Sequence, residues 1–301
     1  MDCRREGFSA EAGFYGEKRA AGAESRDPAP SGSLYNGAMP NDELLFELRD
    51  DGIAVITFNR PQARNALTFA MYDALLEACQ RVAAEPKVRV LVLHGAGDQA
   101  FAAGTDVEPL KTLNTRDKIL AYEAHVDHVF AALEHCPKPT IAAIGGACAG
   151  AGLIIASCCD LRIAAANAKI GMPVARTLGN ALGTANVARL LRLLGEARLK
   201  ELVFTARLVD ADEALAAGLI SQVVDDPAQL LAEALALAGR IAQHAPMTLA
   251  ATKETLARIA REGPAADNDD LVVAAYLSQD FQEGVAAFQQ KRPARWRGNQ
   301  A

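Results

Sequence analysis

Four glycines within eight residues could bring a ligand close to the backbone of this chain: Gly145, Gly146, Gly150 and Gly152. Glycine adopts backbone dihedral angles that other residues avoid, and it lets a ligand approach closely. The apolar residues 153–156 predict a buried helix, whose first turn presents N–H groups that suit a negatively charged oxygen. The stretch therefore indicates an anion-binding turn, with a plain strand–turn–helix packed through small residues as the alternative.

A second glycine-containing loop, residues 94–106, follows the β-branched run at residues 88–93. Ligands of open α/β sheets collect at the carboxyl ends of the strands, so the two glycine turns are expected to lie side by side. Two backbone N–H groups directed at one oxygen would form an oxyanion hole. Each such donor stabilises an enolate or a tetrahedral intermediate by about 3 kcal/mol.

The alternation of strand and helix patterns around these turns predicts an α/β fold with a parallel sheet covered by helices. The pattern indicates no second sheet. The predicted strands are residues 44–48, 53–58, 88–93, 141–144, 161–165 and 220–224. The predicted helices are residues 69–85, 117–135, 184–194 and 196–205, followed by helical pieces over 228–290.

Three segments are expected from these patterns. Residues 1–40 lack hydrophobic periodicity and are predicted to be a disordered N-terminal extension without a secretory signal. Residues 41–235 are predicted to form the core, and residues 236–301 a C-terminal helical region.

Composition limits the classes of function. The chain has 301 residues, is 50% hydrophobic and carries a net charge of -6, so it predicts a globular protein that binds neither nucleic acid nor a membrane. Six cysteines without CxxC spacing predict free buried thiols, a cytoplasmic location, and neither a disulfide set nor a metal site.

Five sequence motifs in order resemble the crotonase, or enoyl-CoA hydratase/isomerase, superfamily, and the match covers residues 43–293. The motifs are NRPQARNAL, LVLHGAGDQAFAAGTDV, PKPTIAAIGGACAGAGLIIASCCDLRIAA, TARLVDADEALAAGLISQVV and FQEGVAAFQQKRP. The resemblance implies a β/β/α spiral core with a C-terminal helical region that trimerises, as a homotrimer or a dimer of trimers. It implies an acyl-CoA substrate and no permanently bound cofactor, since coenzyme A is part of the substrate.

The resemblance also implies roles for individual residues. The thioester oxygen would be held by the backbone N–H groups of Thr105 and Ala151. The positions that contact coenzyme A in the family correspond to Ala63, Arg64, Ala102, Asp106, Phe288 and Lys291. For each of these side chains, a solvent-exposed surface role is the alternative.

The chain departs from the family at the two glutamates that position and activate water in hydratases. Ile154 stands at the first of these positions and Val174 at the second. A hydrocarbon side chain neither donates nor accepts a proton, so hydration by two carboxylates cannot proceed from these positions. Isomerisation by a carboxylate at position 174 is excluded for the same reason.

Four other polar residues are candidates for the missing chemistry. Arg176 and Asn180 follow Val174 in a loop that should line the rim of the acyl pocket. His125 and His128 share a helix face with Tyr122, and a relative that dehalogenates aryl-CoA uses a histidine from this helix. Surface or packing roles are the alternative for all four. Asp106 is expected to bond its own loop, and no partner is evident for His94.

The leading hypothesis is an enoyl-CoA hydratase-like lyase that stabilises a thioester enolate in a backbone oxyanion hole. A divergent decarboxylase, hydrolase or lyase that needs only this hole and polar positioning groups is the second hypothesis. A protein that binds acyl-CoA without catalysis is the third.

Overall fold

The computed structural model describes residues 42–298, so the predicted N-terminal extension lies outside the described residues. The strands are β1 (Leu44–Leu48), β2 (Ile53–Phe58), β3 (Val90–Gly95), β4 (Ala100–Ala102), β5 (Thr140–Ile144), β6 (Ala147–Ala149), β7 (Leu161–Ala165), β8 (Lys169–Gly171), β9 (Leu208–Asp210) and β10 (Gln222–Val224). The helices are α1 (Phe69–Ala84), α2 (Val107–Leu110), α3 (Arg116–Glu134), α4 (Ala151–Cys158), α5 (Thr184–Thr205), α6 (Ala211–Ala216), α7 (Leu230–Ala242), α8 (Pro246–Glu262), α9 (Asp269–Leu277) and α10 (Gln279–Gln289).

Within residues 42–298, six strands form one sheet in the order β1-β2-β3-β5-β7-β10. The first pair is antiparallel, and the other neighbours are parallel. The two faces of β3 show why its run is apolar throughout: Leu91 and Leu93 pack in one cluster with α1, α3 and α4, whereas Val90 and Val92 pack in another with α7. The predicted α/β class with a parallel sheet is therefore confirmed.

A second sheet, in the order β4-β6-β8-β9, shows that the prediction of a single sheet is wrong for the described part of the chain. Each of its strands has three residues, which is too short for a recognisable alternation of apolar and polar side chains. Strand β6 lies inside the predicted glycine turn, between Gly146 and Gly150. The glycine-rich stretch is consequently strand, turn, strand, turn and helix.

Two strands begin later than predicted. Strand β3 begins at Val90 rather than Val88, because the Val88 N–H donates to the Glu85 carbonyl in a turn, at 3.2 Å. Strand β10 begins at Gln222, two residues later than predicted. The break predicted between the two helices at Gly195 is confirmed, since Gly195 has φ 70° and ψ 166° within α5.

The C-terminal helices are tied to the amino-terminal edge of the parallel sheet. Lys253 on α8 lies 2.6 Å from the Asp160 carboxylate and donates to the Lys138 carbonyl at 2.9 Å. The same carboxylate accepts the N–H and hydroxyl of Thr140, at the start of β5. Asp160 thus has a structural role, because it links β5 to α8. No helix in the described range is both long and apolar enough to cross a bilayer.

Candidate active site

The two predicted glycine turns contact each other through their backbones. A Cβ atom placed on Gly150 would lie 3.7 Å from Gly104 Cα, and one on Gly104 would lie 3.6 Å from the Ala149 carbonyl oxygen. Both glycines have positive φ, 126° at Gly104 and 55° at Gly150, which favours residues without a side chain. The structure therefore brings together the two turns that precede Thr105 and Ala151.

The backbone around Thr105 directs its N–H away from the neighbouring loop. Leu67 donates its N–H to the Gly104 carbonyl and accepts the N–H of Asp106, both at 2.8 Å. These two bonds form a parallel bridge that skips the intervening N–H group. Within residues 42–298, the Thr105 N–H donates to no backbone carbonyl. This group is therefore available to an external acceptor.

Ala151 is the first residue of α4, and its N–H has no acceptor inside the helix. The first bond of the helix runs from the Ile154 N–H to the Gly150 carbonyl, at 3.1 Å. Gly152 places this helix end directly on β4, since a Cβ atom there would lie 2.1 Å from the Ala102 carbonyl oxygen. The close approach of helix and strand fixes where the Ala151 N–H lies.

Ile154 and Val174 lie in the same apolar cluster. Ile154 is 2% exposed on the first turn of α4, and Val174 is half-buried in a 3-10 turn that follows β8. Helix α4 packs against both α3 and α5, so these two helices are the neighbouring helices that could supply a replacing group.

A cluster of hydroxyl groups surrounds the Thr105 side chain, and sequence reasoning did not find it. Tyr72 Oη lies 2.7 Å from Thr105 Oγ1. The Tyr122 hydroxyl also interacts with both Thr105 and Tyr72, while its ring packs on Phe69 with 5.3 Å between centroids. Burial raises the pKa of Tyr72 and, to a smaller extent, that of Tyr122, so both phenols are protonated at neutral pH. The sequence does carry one signal for this cluster, a tyrosine within the apolar face of α1, because a buried phenol requires a hydrogen-bond partner.

Glu123, next to Tyr122 on α3, is a second residue that the sequence patterns did not single out. Its Oε2 would lie 3.5 Å from a Cβ atom on Gly183, the residue that precedes α5. Burial, followed by the negative charge of Asp127, raises the pKa of Glu123 above its usual range. A half-buried carboxyl group thus lies where α3 meets the start of α5.

The four polar candidates from the sequence lie at exposed positions. Arg176 and Asn180 are exposed on the loop between Val174 and α5. His125 and His128 are exposed on α3, and His125 Nε2 lies 2.9 Å from Asp73 Oδ1. The structure does not bring these four side chains together.

His94 does have a partner, contrary to expectation. Its Nε2 lies 2.8 Å from Thr57 Oγ1 on the neighbouring strand β2. Burial lowers the pKa of His94, so a neutral imidazole is the stable form. This histidine is part of the sheet packing.

The loop after β2 is organised by buried Asn65 and by Arg60. The Asn65 side chain accepts the Arg60 N–H at 2.9 Å and donates to the carbonyls of Ala96 and Ala100 at 3.0 and 2.7 Å. Arg60 lies 3.0 Å from Asp106 Oδ2. The Glu108 N–H and then Arg60 lower the pKa of Asp106, which accepts the bond within its own loop, at 3.1 Å.

The positions implied to contact coenzyme A occupy two parts of the molecule. Arg64 is exposed and Ala63 half-buried in the loop after β2, whereas Ala102 is buried in β4. Phe288 is 87% exposed on α10, and Lys291 follows that helix.

Within residues 42–298, no group of three or more His, Cys, Asp or Glu side chains could hold a metal ion.

Similarity to known proteins agrees with this architecture. The chain matches the family model Enoyl-CoA hydratase/isomerase over residues 49–299. The crotonyl-CoA hydratase of Syntrophomonas wolfei subsp. wolfei is 36% identical over 266 residues, covering 85% of this chain and 98% of that protein. The short-chain-enoyl-CoA hydratase of Clostridium acetobutylicum is 34% identical over 261 residues, covering 84% of this chain and 97% of that protein.

Solved structures give the same result. The crystal structure of an enoyl-CoA hydratase/carnithine racemase from Magnetospirillum magneticum superposes with a TM-score of 0.81 at 34% identity, covering 86% of this chain and 97% of that one. The crystal structure of a putative enoyl-CoA hydratase/isomerase family protein from Hyphomonas neptunium superposes with a TM-score of 0.80 at 33% sequence identity, covering 87% of this chain and 99% of that one. The chain therefore belongs to the enoyl-CoA hydratase/isomerase, or crotonase, family, and it is an acyl-CoA thioester-processing enzyme of that family.

Proposed function

We propose that this enzyme binds the thioester oxygen of an acyl-CoA between the N–H groups of Thr105 and Ala151 and stabilises an enolate there. The contact between Gly104 and Gly150 supports this proposal, because it places two N–H groups without backbone acceptors in neighbouring turns of the described chain. Preorganised donors of this kind stabilise charge that develops in the transition state.

The proposed reaction forms an enolate without carboxylates at positions 154 and 174. Decarboxylation of a carboxyacyl-CoA meets this requirement, because the breaking C–C bond leaves its electron pair in the enolate and releases carbon dioxide. The apolar side chains of Ile154 and Val174 favour this reaction, since they would disfavour a substrate carboxylate relative to neutral carbon dioxide. Thioester hydrolysis, which would place a tetrahedral intermediate in the same hole, and other lyase reactions are the alternatives.

A second copy of the chain is also part of the proposal. Helices α8–α10 line an apolar groove of about 880 Å³ that includes the exposed Phe288 and Tyr276. These exposed apolar side chains support a homotrimer or a dimer of trimers in which Phe288 and Lys291 approach the coenzyme A of a neighbouring subunit.

The oxyanion donors can be tested by the substitution Ala151→Pro. Proline is tolerated at the first position of a helix, and its ring carbon replaces the N–H hydrogen, so α4 should be retained while one donor is lost and the place of the oxygen beside it is narrowed. We expect kcat to fall about 10²–10³-fold, the cost of one missing oxyanion donor, on whichever acyl-CoA the enzyme turns over in a panel of enoyl-, malonyl- and hydroxyacyl-CoA thioesters.

The matched control is Arg116→Pro, which places proline at the first position of exposed α3. It should leave kcat unchanged. Equal activity of Ala151→Pro and the wild type would contradict the proposal. Saturable acyl-CoA binding without turnover of any thioester would instead identify a non-catalytic binder. Crotonyl-CoA hydration at hundreds of turnovers per second would contradict the interpretation of Ile154 and Val174.

A further inference from the structure

We propose that Glu123 is the proton-transfer group of the acyl pocket and that it acts on C2, the carbon next to the thioester carbonyl. The proposal rests on the function proposed above and adds the acid/base residue that Ile154 and Val174 cannot supply.

The first argument is position. Glu123 lies on α3, and its Oε2 approaches the place where a Gly183 side chain would be, at 3.5 Å. Gly183 ends the loop that begins after Val174, and helix α4 packs against both α3 and α5. The carboxylate therefore lies at the end of the loop that follows Val174, where this loop meets α5.

The second argument is proximity to the oxyanion turn. The Glu123 charge acts on the phenols of both Tyr72 and Tyr122. These phenols interact with the Thr105 side chain, and Tyr72 Oη lies 2.7 Å from Thr105 Oγ1. Glu123 thus directly follows, on α3, a tyrosine whose hydroxyl interacts with the residue whose N–H would hold the thioester oxygen.

The third argument is that Glu123 lies outside the ion-pair network of this surface. Arg189 on α5 pairs with Asp127 at 2.9 Å and with Glu134 at 2.7 Å. Within residues 42–298, no cationic side chain lies within 4.0 Å of the Glu123 carboxylate, so no salt bridge neutralises it. Unlike Asp127 and Glu134, Glu123 is therefore not held in an ion pair and can act as an acid or a base.

The protonation behaviour agrees with this role. Burial and the charge of Asp127 raise the pKa of Glu123, and the other titratable groups that act with it are the phenols of Tyr72 on α1 and Tyr122 on α3. A general base is most effective when its pKa lies near the working pH. The raised pKa of the Glu123 carboxyl group brings it closer to the working pH.

The proposed step balances without a further reactant. The Glu123 carboxylate takes the proton from C2, the C–H bond breaks, and its electron pair forms the enolate whose oxygen lies between Thr105 N–H and Ala151 N–H. The protonated carboxyl group exchanges its proton with the solvent and then delivers a solvent hydron to C2. In heavy water this cycle replaces hydrogen at C2 with deuterium.

A structural role is the competing explanation. Within the described residues, no side chain caps the N-terminus of α5, so the Glu123 charge could stabilise the positive end of that helix. This role predicts a change in stability when the charge is removed and no change in the chemistry at C2.

The experiment measures deuterium incorporation at C2 of butyryl-CoA, a saturated thioester that can undergo no hydration, in heavy water by mass spectrometry. We expect the wild-type rate to rise with pH through the pKa of Glu123 and then level, since the base is active when deprotonated. Glu123→Gln, with nearly the same shape, should lower the rate about 10²-fold or more. Glu123→Asp should retain an intermediate rate with the same form of pH profile.

Asp117→Asn, which removes an exposed carboxylate from the first turn of the same helix, is the matched control and should exchange at the wild-type rate. Exchange by Glu123→Gln within threefold of the wild type would overturn the inference, as would a lower melting temperature with unchanged exchange. Wild-type protein that binds butyryl-CoA without exchanging C2 would also overturn it. The proposed oxyanion hole would be unaffected by that result, because the Ala151→Pro comparison tests it separately.

Discussion

The two halves of the site are built differently. The backbone half of the proposed site consists of the adjacent turns at Gly104 and Gly150, with N–H groups held by main-chain geometry. The side-chain half, at Ile154 and Val174, is part of an apolar cluster and carries no titratable group. A donor on the main chain is lost only if the backbone moves, whereas an acid or base is lost by replacing one side chain. An enolate site can therefore retain its electrostatic part while its proton-transfer part lies elsewhere.

Gly152→Ala should break the backbone half and have the largest effect. The new Cβ atom would lie 2.1 Å from the Ala102 carbonyl oxygen, so α4 has to shift away from β4. We expect the free energy of unfolding to fall by about 3 kcal/mol. Since a misplacement of about 1 Å can cost 10²-fold in rate, turnover should also fall by that factor. Denaturant unfolding and steady-state kinetics measure the two effects.

Gly239→Ala in α7 is the control for the helical glycine, because nothing lies within 4 Å of a Cβ atom there. It should stabilise the protein by about 0.5–1 kcal/mol without changing turnover. If Gly152→Ala behaved like this control, the close packing of α4 on β4 would not be needed to position the Ala151 N–H.

The double substitution Ile154→Glu with Val174→Glu should supply the two carboxyl groups that the side-chain half of the site lacks. Each positioned acid or base contributes about 10²–10⁴-fold, and burial of the new carboxyl groups offsets part of this gain. We therefore expect crotonyl-CoA hydration to rise about 10²-fold over the wild type, with lower stability. The double Gln variant has nearly the same shape and should show no such rise. A rise in both variants would mean that pocket polarity, and not proton transfer, limits the wild type.

His125→Gln should have the smallest effect on turnover, and it tests whether the exposed histidines of α3 belong to the site. The His125–Asp73 pair is exposed, and surface pairs of this kind contribute about 0–1 kcal/mol. Turnover within twofold of the wild type, measured beside Glu123→Gln, would show that α3 contributes through Glu123 and not through its exposed histidines. A tenfold loss would restore the histidine hypothesis.

Sequence reasoning predicted the elements that carry a strong local signal. The apolar runs of β3 and β5, the start of α1 at Phe69 and the break at Gly195 are all present in the structure. The second sheet was missed because its strands are only three residues long and depend on pairing between distant segments, such as Ala147 with Lys169. Local patterns are too short to identify such strands.

The site divides in the same way. The approach of the two glycine turns could be predicted, because it follows from the order of strands in a parallel sheet. The positions of Tyr72 and Glu123 could not be predicted, because each depends on a contact across a long sequence separation. Tyr72 contacts Thr105, and Glu123 approaches Gly183. A polar residue on a helix gives no periodic signal that distinguishes a solvent-exposed side chain from one directed at another element.

The contact between Gly104 and Gly150 also limits how this enzyme can be altered. The positive φ of both glycines, 126° and 55°, disfavours a side chain at either position, so neither turn offers a site for redesign. Redesign for longer, shorter or branched acyl groups consequently has to change the pocket walls around Ile154 and Val174. Changes to those walls would leave the spacing of the two proposed donors as it is, whereas a change at the turns, such as Gly152→Ala, would alter it.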